Sequence, residues 1–261
     1  MAGASASVRW QASDGPLPVG VLERVGAVVN LAGAPLTAGR WSQTKKAAIL
    51  ESRVATTRAV AAACAAAGVR VLWNASAVGV YGAAEKPVDE TAPAGDDFLA
   101  SVCVAWERAA HAAADDGVRV VVGRSAMVLA PDGGALPVLR RLARLGVLGP
   151  VGSGTQWSSW IHLDDELGAL LHCLDHEAVL GPVNLASPRA VRQRDLAAAV
   201  RRAVRRPPAL PAPAALVRAA LGEASALVLT GQRAVPAVLD ATGFGFVHPS
   251  LDEALRDLLA P

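Results

Sequence analysis

Apolar and polar positions alternate in blocks along this chain, short runs rich in Val, Leu and Ala being separated by longer stretches with helical spacing. Strands alternating with helices predict an α/β fold with a mainly parallel sheet. The clearest strand is Val25 to Leu31, an apolar β-branched run ending in the turn Asn30-Leu31-Ala32-Gly33. Parallel strands read this way because helices cover both of their faces. Val69 to Ala77, Val118 to Val122, Trp157 to His162 and Val183 to Leu185 follow as strands, and Val8 to Gln11 is a short one at the front.

Helices are expected over Trp41 to Ala67, stopped by Gly68, and over Phe98 to Ala114, capped by Asp96 or Asp97. Leu136 to Leu145, Asp164 to His176 and Gln193 to Val204 follow, the second with Leu167, Leu170, Leu171 and Leu174 on one side. Gly82 to Asp97, Pro131 to Gly134 and Gly146 to Gly154 read as loops. Pro207, Pro208, Pro211 and Pro213 mark a boundary, beyond which Ala214 to Leu221, Ala234 to Thr242 and Leu251 to Leu259 are helical.

Composition narrows the class. With 261 residues, 52% of them hydrophobic, the chain can bury a sizeable core, and no apolar run approaches the ~18 residues of a membrane span. Met1 to Trp10 lacks a basic segment followed by an apolar one, so the cytoplasm is expected. Cys64, Cys103 and Cys173 are too scattered for a disulfide framework or a zinc site. The net charge is +2, and the one dense basic patch, Arg201, Arg202, Arg205 and Arg206, reads as a solvated helix end rather than a nucleic-acid footprint.

Three motifs occur in order: Asn30-Leu31-Ala32-Gly33, Ser76-Ala77-Val78-Gly79-Val80-Tyr81-Gly82, and Trp160-Ile161-His162-Leu163-Asp164-Asp165. Their order and spacing resemble the extended short-chain dehydrogenase/reductase superfamily, which contains the NAD-dependent epimerases and dehydratases of nucleotide sugars. Trp41, the Cys103, Trp106 and Glu107 set, Pro131 to Gly134, Gly152 to Trp157, Thr230 to Arg233 and His248 to Leu255 are similar to an atypical epimerase-like branch with its own C-terminal domain.

The resemblance implies a Rossmann-type doubly wound sheet over 1–150, with 155–206 partly returning to it, and a small, mostly helical substrate-side domain over 207–261. It implies NADP as cofactor and a small-molecule, nucleotide-sugar-like substrate, with no nucleic-acid or membrane partner. It places Asn30, Leu31, Ala32, Gly33, Asn74, Ala75, Cys103, Arg124, Ser125 and Val128 on the cofactor side. Ser76 matches the serine that holds the substrate oxygen, although a strand-end hydroxyl bonding its own backbone is the alternative. Tyr81 is a catalytic candidate whose alternative is loop anchoring. Gln156, Trp157 and Trp160 suit a substrate cleft, and core packing explains them equally.

Two departures limit the resemblance. Superfamily members open with a strand, a Gly-x-x-Gly-x-x-Gly phosphate loop and a helix before the strand that Val25 to Leu31 matches, so the chain is expected to be N-terminally truncated. The strand should then show a bare edge, unless Val8 to Gln11 fills the place. The superfamily also pairs a tyrosine with a lysine four residues on, the ammonium lowering the phenol pKa for proton transfer. Counting back from Glu107 puts Leu99 and Cys103 at those positions, on an apolar face with Trp106. Cys103 reads as a buried hydrophobe, and Asp96, Asp97 and Glu107 are left as candidate acids. His162, with no second histidine at ligand spacing, reads as structural, and no metal is expected.

Overall fold

The computed structural model describes residues 7–36 and 39–259. The first half runs β1 (Ala27–Asn30), α1 (Gln43–Ala67), β2 (Val71–Ala77), β3 (Ala84–Val88), α2 (Phe98–His111), β4 (Arg119–Ser125), β5 (Met127–Leu129) and α3 (Leu136–Arg144). Then come β6 (Trp157–Ser158), β7 (Trp160–His162), α4 (Leu163–Asp175), β8 (Gly181–Leu185), β9 (Val191–Arg192) and α5 (Gln193–Ala203). The chain closes with α6 (Ala214–Leu221), α7 (Ala226–Leu229), β10 (Gln232–Ala234), α8 (Ala237–Ala241) and α9 (Leu251–Leu258).

The main sheet is parallel in the order β1-β2-β4-β8, a Rossmann-type arrangement. On one face α1 and α2 bury Val60, Cys64, Leu72, Ala110 and Val120, and on the other α4 and α8 bury Trp73, Val121, Ala169, Cys173 and Leu239. Trp73 fits only because residue 123 of the neighbouring strand is glycine, where a Cβ would come within 2.1 Å of the indole. α1 is one continuous helix, opened by the Ser42 side chain accepting from Lys45 N–H and closed by Gly68 in the left-handed region at φ 65°. Asp97, rather than Asp96, caps α2 by accepting from Ala100 N–H at 2.8 Å.

β1 pairs with β2 alone among the described residues, and Val29 and Leu31 beside it are 40% and 67% exposed. Val8 to Gln11 forms no strand. Trp10, Leu17 and Leu22 of that front segment pack instead on the α1/α2 cluster, so the edge stays bare.

Three expectations need correction. The Gly82 to Asp97 loop contains β3, whose partner is β10, about 150 residues away in sequence. Trp157 to His162 is two strands, β6 against β9 and β7 against β5, meeting at Ser159, whose hydroxyl donates to Gln232 O and accepts from Ala234 N–H. α4 does not bury all four leucines: Leu167 and Leu171 are exposed, and Ala169 and Cys173 make its inner face.

Residues beyond 207 build into the earlier core. Leu251 and Leu255 of α9 pack with Leu196 and Val200 of α5, and Leu239 of α8 packs with Val183 and Leu185 of β8. The basic patch is partly internal, since buried Arg201 donates to Leu148 O at 2.6 Å, while Arg202 forms an exposed pair with Asp252 at 2.8 Å. Among the described residues no helix is long and apolar enough to cross a membrane.

Candidate functional site

Parallel register aligns Ser76 of β2, Arg124 of β4 and Asn184 of β8 near the C-terminal ends of three adjacent strands. Residues in register share one face of a sheet, so three polar side chains emerge together where the core ends. Glu107 of α2, and Tyr81 from the 3-10 turn Val78–Tyr81 after β2, complete the group. Ser76 Oγ donates to Glu107 Oε1 at 2.7 Å. Arg124 grips the same carboxylate with two donors, Nε to Oε1 at 2.9 Å and Nη2 to Oε2 at 2.8 Å. Its Nη1 donates to Tyr81 Oη at 2.9 Å and to Glu90 O at 3.3 Å.

Tyr81 Oη in turn donates to Asn184 Oδ1 at 2.7 Å. The Asn184 backbone N–H donates to Glu90 Oε1 at 2.9 Å, and the Asn184 amide donates to Val235 O at 2.9 Å. Ser76, Tyr81, Glu90, Glu107, Arg124 and Asn184 are all buried. Burial pushes the Tyr81 phenol above its usual pKa, against the opposing pull of Arg124, so the ring is a neutral donor rather than an activated acid. Glu107 holds Arg124 above its ordinary value although burial opposes it.

A second polar group supports the end of β1. Asn30 and Asn74 are in register, and Asn30 Nδ2 donates to Asn74 Oδ1 at 2.7 Å and to Thr57 Oγ1 at 2.9 Å. Trp106 Nε1 donates to that same hydroxyl at 2.8 Å, so fully buried Thr57 ties α1, α2 and two strands together. Asn30 Oδ1 accepts from Ala32 N–H at 3.2 Å, which sets the turn through Leu31, Ala32 and Gly33, and the turn is open to solvent. Arg53 of α1 lies against it: a Cβ on Gly33 would sit 3.0 Å from the guanidinium carbon.

The structure brings Ser76, Tyr81 and Arg124 together, with Asn30, Asn74, Ala75 and the Leu31 to Gly33 turn on the adjacent strand ends. Cys103 lies buried beside Ser76, its thiol pushed up to about 11 by burial and by the Glu107 charge. The α2 face is not purely apolar, because buried Glu107 stands on it, and that carboxylate is committed to Arg124 and Ser76 rather than free as an acid. Ser125 Oγ donates to Glu166 Oε1 at 2.6 Å, and burial lifts Glu166 to about 7. Val128 belongs to β5 and pairs with Ile161.

Of the three residues suited to a cleft, Trp160 packs in the core, whereas Gln156 and Trp157 are half-buried. Trp160 is fully buried, with Nε1 on Arg189 O at 2.9 Å. Trp157 donates to Glu85 O and is covered by Arg192 at 3.7 Å from its ring, and Gln156 donates to Val151 O and Val228 O.

A second histidine does approach His162, from far away in sequence. His162, His248 and Asp257 bring one potential metal ligand each within 4.8 Å of one another. His162 Nδ1 accepts from Asp164 N–H at 3.0 Å, so the neutral ring carries its proton on Nε2, 3.2 Å from Asp257 Oδ2. No lone pair is left there for a metal. The two rings also stack 3.8 Å apart at 25°, so their planes do not converge on a shared ion.

Arg53, Thr57, Glu90, Asn184 and Glu166 escape sequence reasoning. One signal was available: Arg124 ends an otherwise apolar strand, and a buried arginine requires an acidic partner.

Comparison with known proteins agrees with this geometry. The sequence profile of the NAD dependent epimerase/dehydratase family matches residues 19–186, and a domain of unknown function (DUF1731) matches residues 212–258. The epimerase family protein Mb2239 of Mycobacterium bovis is 43% identical over 253 residues, covering 96% of this chain and 84% of the relative. The crystal structure of human epimerase family protein SDR39U1 (isoform 2) with NADPH superposes with a TM-score of 0.88 at 32% identity, covering 98% of this chain and 88% of that one. The nucleoside-diphosphate sugar epimerase of Corynebacterium glutamicum gives a TM-score of 0.74 at 31% identity, covering 91% of this chain and 47% of that one. The chain therefore belongs to the NAD-dependent epimerase/dehydratase family.

Proposed function

We propose that the cleft at the C-terminal ends of β1, β2 and β4 binds NADP and a nucleotide-sugar-like substrate, for an oxidoreductase or epimerase reaction in which Ser76 orients the substrate oxygen. One observation carries this reading: Ser76, Arg124 and Asn184 stand in register over the sheet, beside the open turn Leu31 to Gly33. Strand ends of an open α/β sheet are where ligands bind. The human relative solved with NADPH supports the cofactor, and the Corynebacterium relative supports the substrate class. Residues suited to the nicotinamide half are present: Gly33 leaves room beside the cleft, and Asn30 and Asn74 hold the turn rigid. When bound, the dinucleotide supplies hydride transfer.

The chain's own groups divide the remaining work. Ser76 Oγ donates its hydrogen bond to Glu107 and keeps lone pairs to accept a hydrogen bond from a substrate hydroxyl. Glu107, gripped by Arg124, fixes its rotamer. Leu99 and Cys103 replace the superfamily's tyrosine and lysine, so the proton comes from outside that pair. The setting we propose is the cytoplasm, consistent with three free, buried thiols, with small molecules rather than nucleic acid or membranes as partners.

A noncatalytic nucleotide-binding role is the second reading, favoured by Tyr81, whose hydroxyl is bonded on both sides. Fluorescence titration with NADPH, followed by absorbance assays against a panel of nucleoside-diphosphate sugars, separates the two. Binding with turnover supports the enzyme, binding without turnover supports the second reading, and an absence of NADPH binding refutes both.

A further inference from the structure

We propose that Arg53 is an oxyanion-binding residue beside the turn after β1, holding a phosphate of the dinucleotide with the guanidinium edge left unpaired among the described residues. The inference rests on the cofactor reading above and adds a residue that no motif pointed to.

Arg53 projects from the middle of α1 toward the turn after β1. Its Nη1 donates to Ala34 O at 3.0 Å and to Ile49 O at 3.1 Å, which fixes the fork in place. Its guanidinium carbon lies 5.0 Å from the centre of the Trp106 ring, itself held by Thr57, so the cation is stacked as well as tethered. Nε and Nη2 have no hydrogen-bond partner among the described residues. An arginine preorganised on one nitrogen and by one ring, with its remaining edge free, matches two oxygens of a phosphate that accept two parallel bonds. No carboxylate is paired with it, and burial lowers its pKa as for a cation lacking a counter-ion.

Two neighbours indicate which anion. Gly33 lies directly under the fork, where a Cβ would come within 3.2 Å of Nη2. Any side chain there would press on the guanidinium, so this edge of the cleft is kept clear by the turn that the cofactor reading assigns to the dinucleotide. The second neighbour is Cys103, a buried thiol that burial pushes up to about 11 and that therefore carries no charge of its own. Cys103 occupies the position where the superfamily pattern places its lysine. Lys46, the other nearby cation of α1, is paired with Glu223 at 2.7 Å. Arg53 therefore brings in from α1 the positive charge that α2 does not carry.

The test is NADPH titration by fluorescence on the full chain and on Arg53→Gln, Arg53→Lys and Gly33→Ala, with thermal melting of each. Losing a bidentate charged contact should weaken binding about tenfold or more in Arg53→Gln and less in Arg53→Lys, with melting nearly unchanged. Gly33→Ala should weaken binding in the parent but add little in the Arg53→Gln background, a coupling that a purely structural arginine would not produce. Equal NADPH affinity in parent and Arg53→Gln overturns the proposal while leaving the cofactor reading intact. Weaker binding of a uridine diphosphate sugar with unchanged NADPH affinity also overturns it, moving the arginine to the substrate. A parent chain that does not bind NADPH overturns the cofactor reading and this proposal together.

Discussion

Two arginines stand near the C-terminal ends of the main sheet, Arg124 on β4 and Arg53 on α1 against the turn after β1, and they are treated in opposite ways. Arg124, in the sheet, has a partner for every nitrogen: both oxygens of Glu107, the Tyr81 hydroxyl and the Glu90 carbonyl. Arg53, on the helix, has acceptors for Nη1 alone among the described residues. A buried guanidinium is tolerable only when its charge and donors are met, so the first is part of the framework. The second is only half-buried, with its free edge beside the solvent-open turn of Gly33, so its charge need not be met inside the protein. The carboxylates repeat the contrast: Glu107 has a cation, whereas Glu166 has only the Ser125 hydroxyl and rises toward neutrality. Polar residues at one cleft thus divide into those that complete the fold and those that await something.

The contrast is easiest to break at its strongest contact. Glu107→Ala should leave Arg124 charged, buried and without its counter-ion, costing about 3–5 kcal/mol. Chemical denaturation measures it, and a loss below about 1 kcal/mol would mean that solvent reaches the pair. Thr57→Val probes the framework beneath the open side. It strands the Trp106 indole N–H and removes one partner of Asn30, and should cost about 1–3 kcal/mol in the same experiment. Both variants should lower NADPH affinity only as far as they unfold the chain.

How much of this was visible in the chain depends on the range of the interaction. α1, α2 and β2 were readable because their signals are local: a cap at Asp97, a left-handed stop at Gly68, and an unbroken apolar run at Val71 to Trp73. β3 was not readable, since Ala-Glu-Lys-Pro-Val has neither apolar periodicity nor a local partner, and it becomes a strand only when β10 arrives beside it. The site behaved likewise. Ser76 and Tyr81 announced themselves by motif. Asn184 did not, because its importance comes from lying opposite Arg124 in the register of β8. Glu107 was visible as an acid but not as half of an ion pair. Arg53 sits in an alanine-rich helix where one more arginine carries no message; only the fold puts Gly33 beneath it.

Glu166 offers a test through pH. Its folded pKa is raised from 4.5 to about 7, whereas in the unfolded chain it stays near 4.5. Between those values the folded protein keeps a proton that the unfolded chain has released, so raising pH through the window removes stability, on the order of 3 kcal/mol at most. Glu166→Gln cannot lose that proton. The variant should match the parent near pH 4.5 and exceed it above pH 7 in thermal melts, and parallel curves across the range would show the carboxyl to be hydrated in solution.

The smallest expected effect is the most diagnostic for the role of Tyr81. Tyr81→Phe removes a hydroxyl that donates to Asn184 Oδ1 and accepts from Arg124 Nη1, while Arg124 keeps Glu107 and the Glu90 carbonyl. One unsatisfied buried acceptor then costs about 1 kcal/mol, visible as a shifted denaturation midpoint with an unchanged slope. A structural tyrosine predicts that loss and nothing more: NADPH affinity, and any turnover of a nucleotide sugar, should be those of the parent. A tyrosine that moves protons predicts the reverse, with activity falling by orders of magnitude at nearly constant stability. Because its pKa is raised by burial, and because its one proton is already held by Asn184, we expect the first pattern. The side of the cleft around Arg124 would then be framework throughout, with Ser76 as its one outlet to substrate.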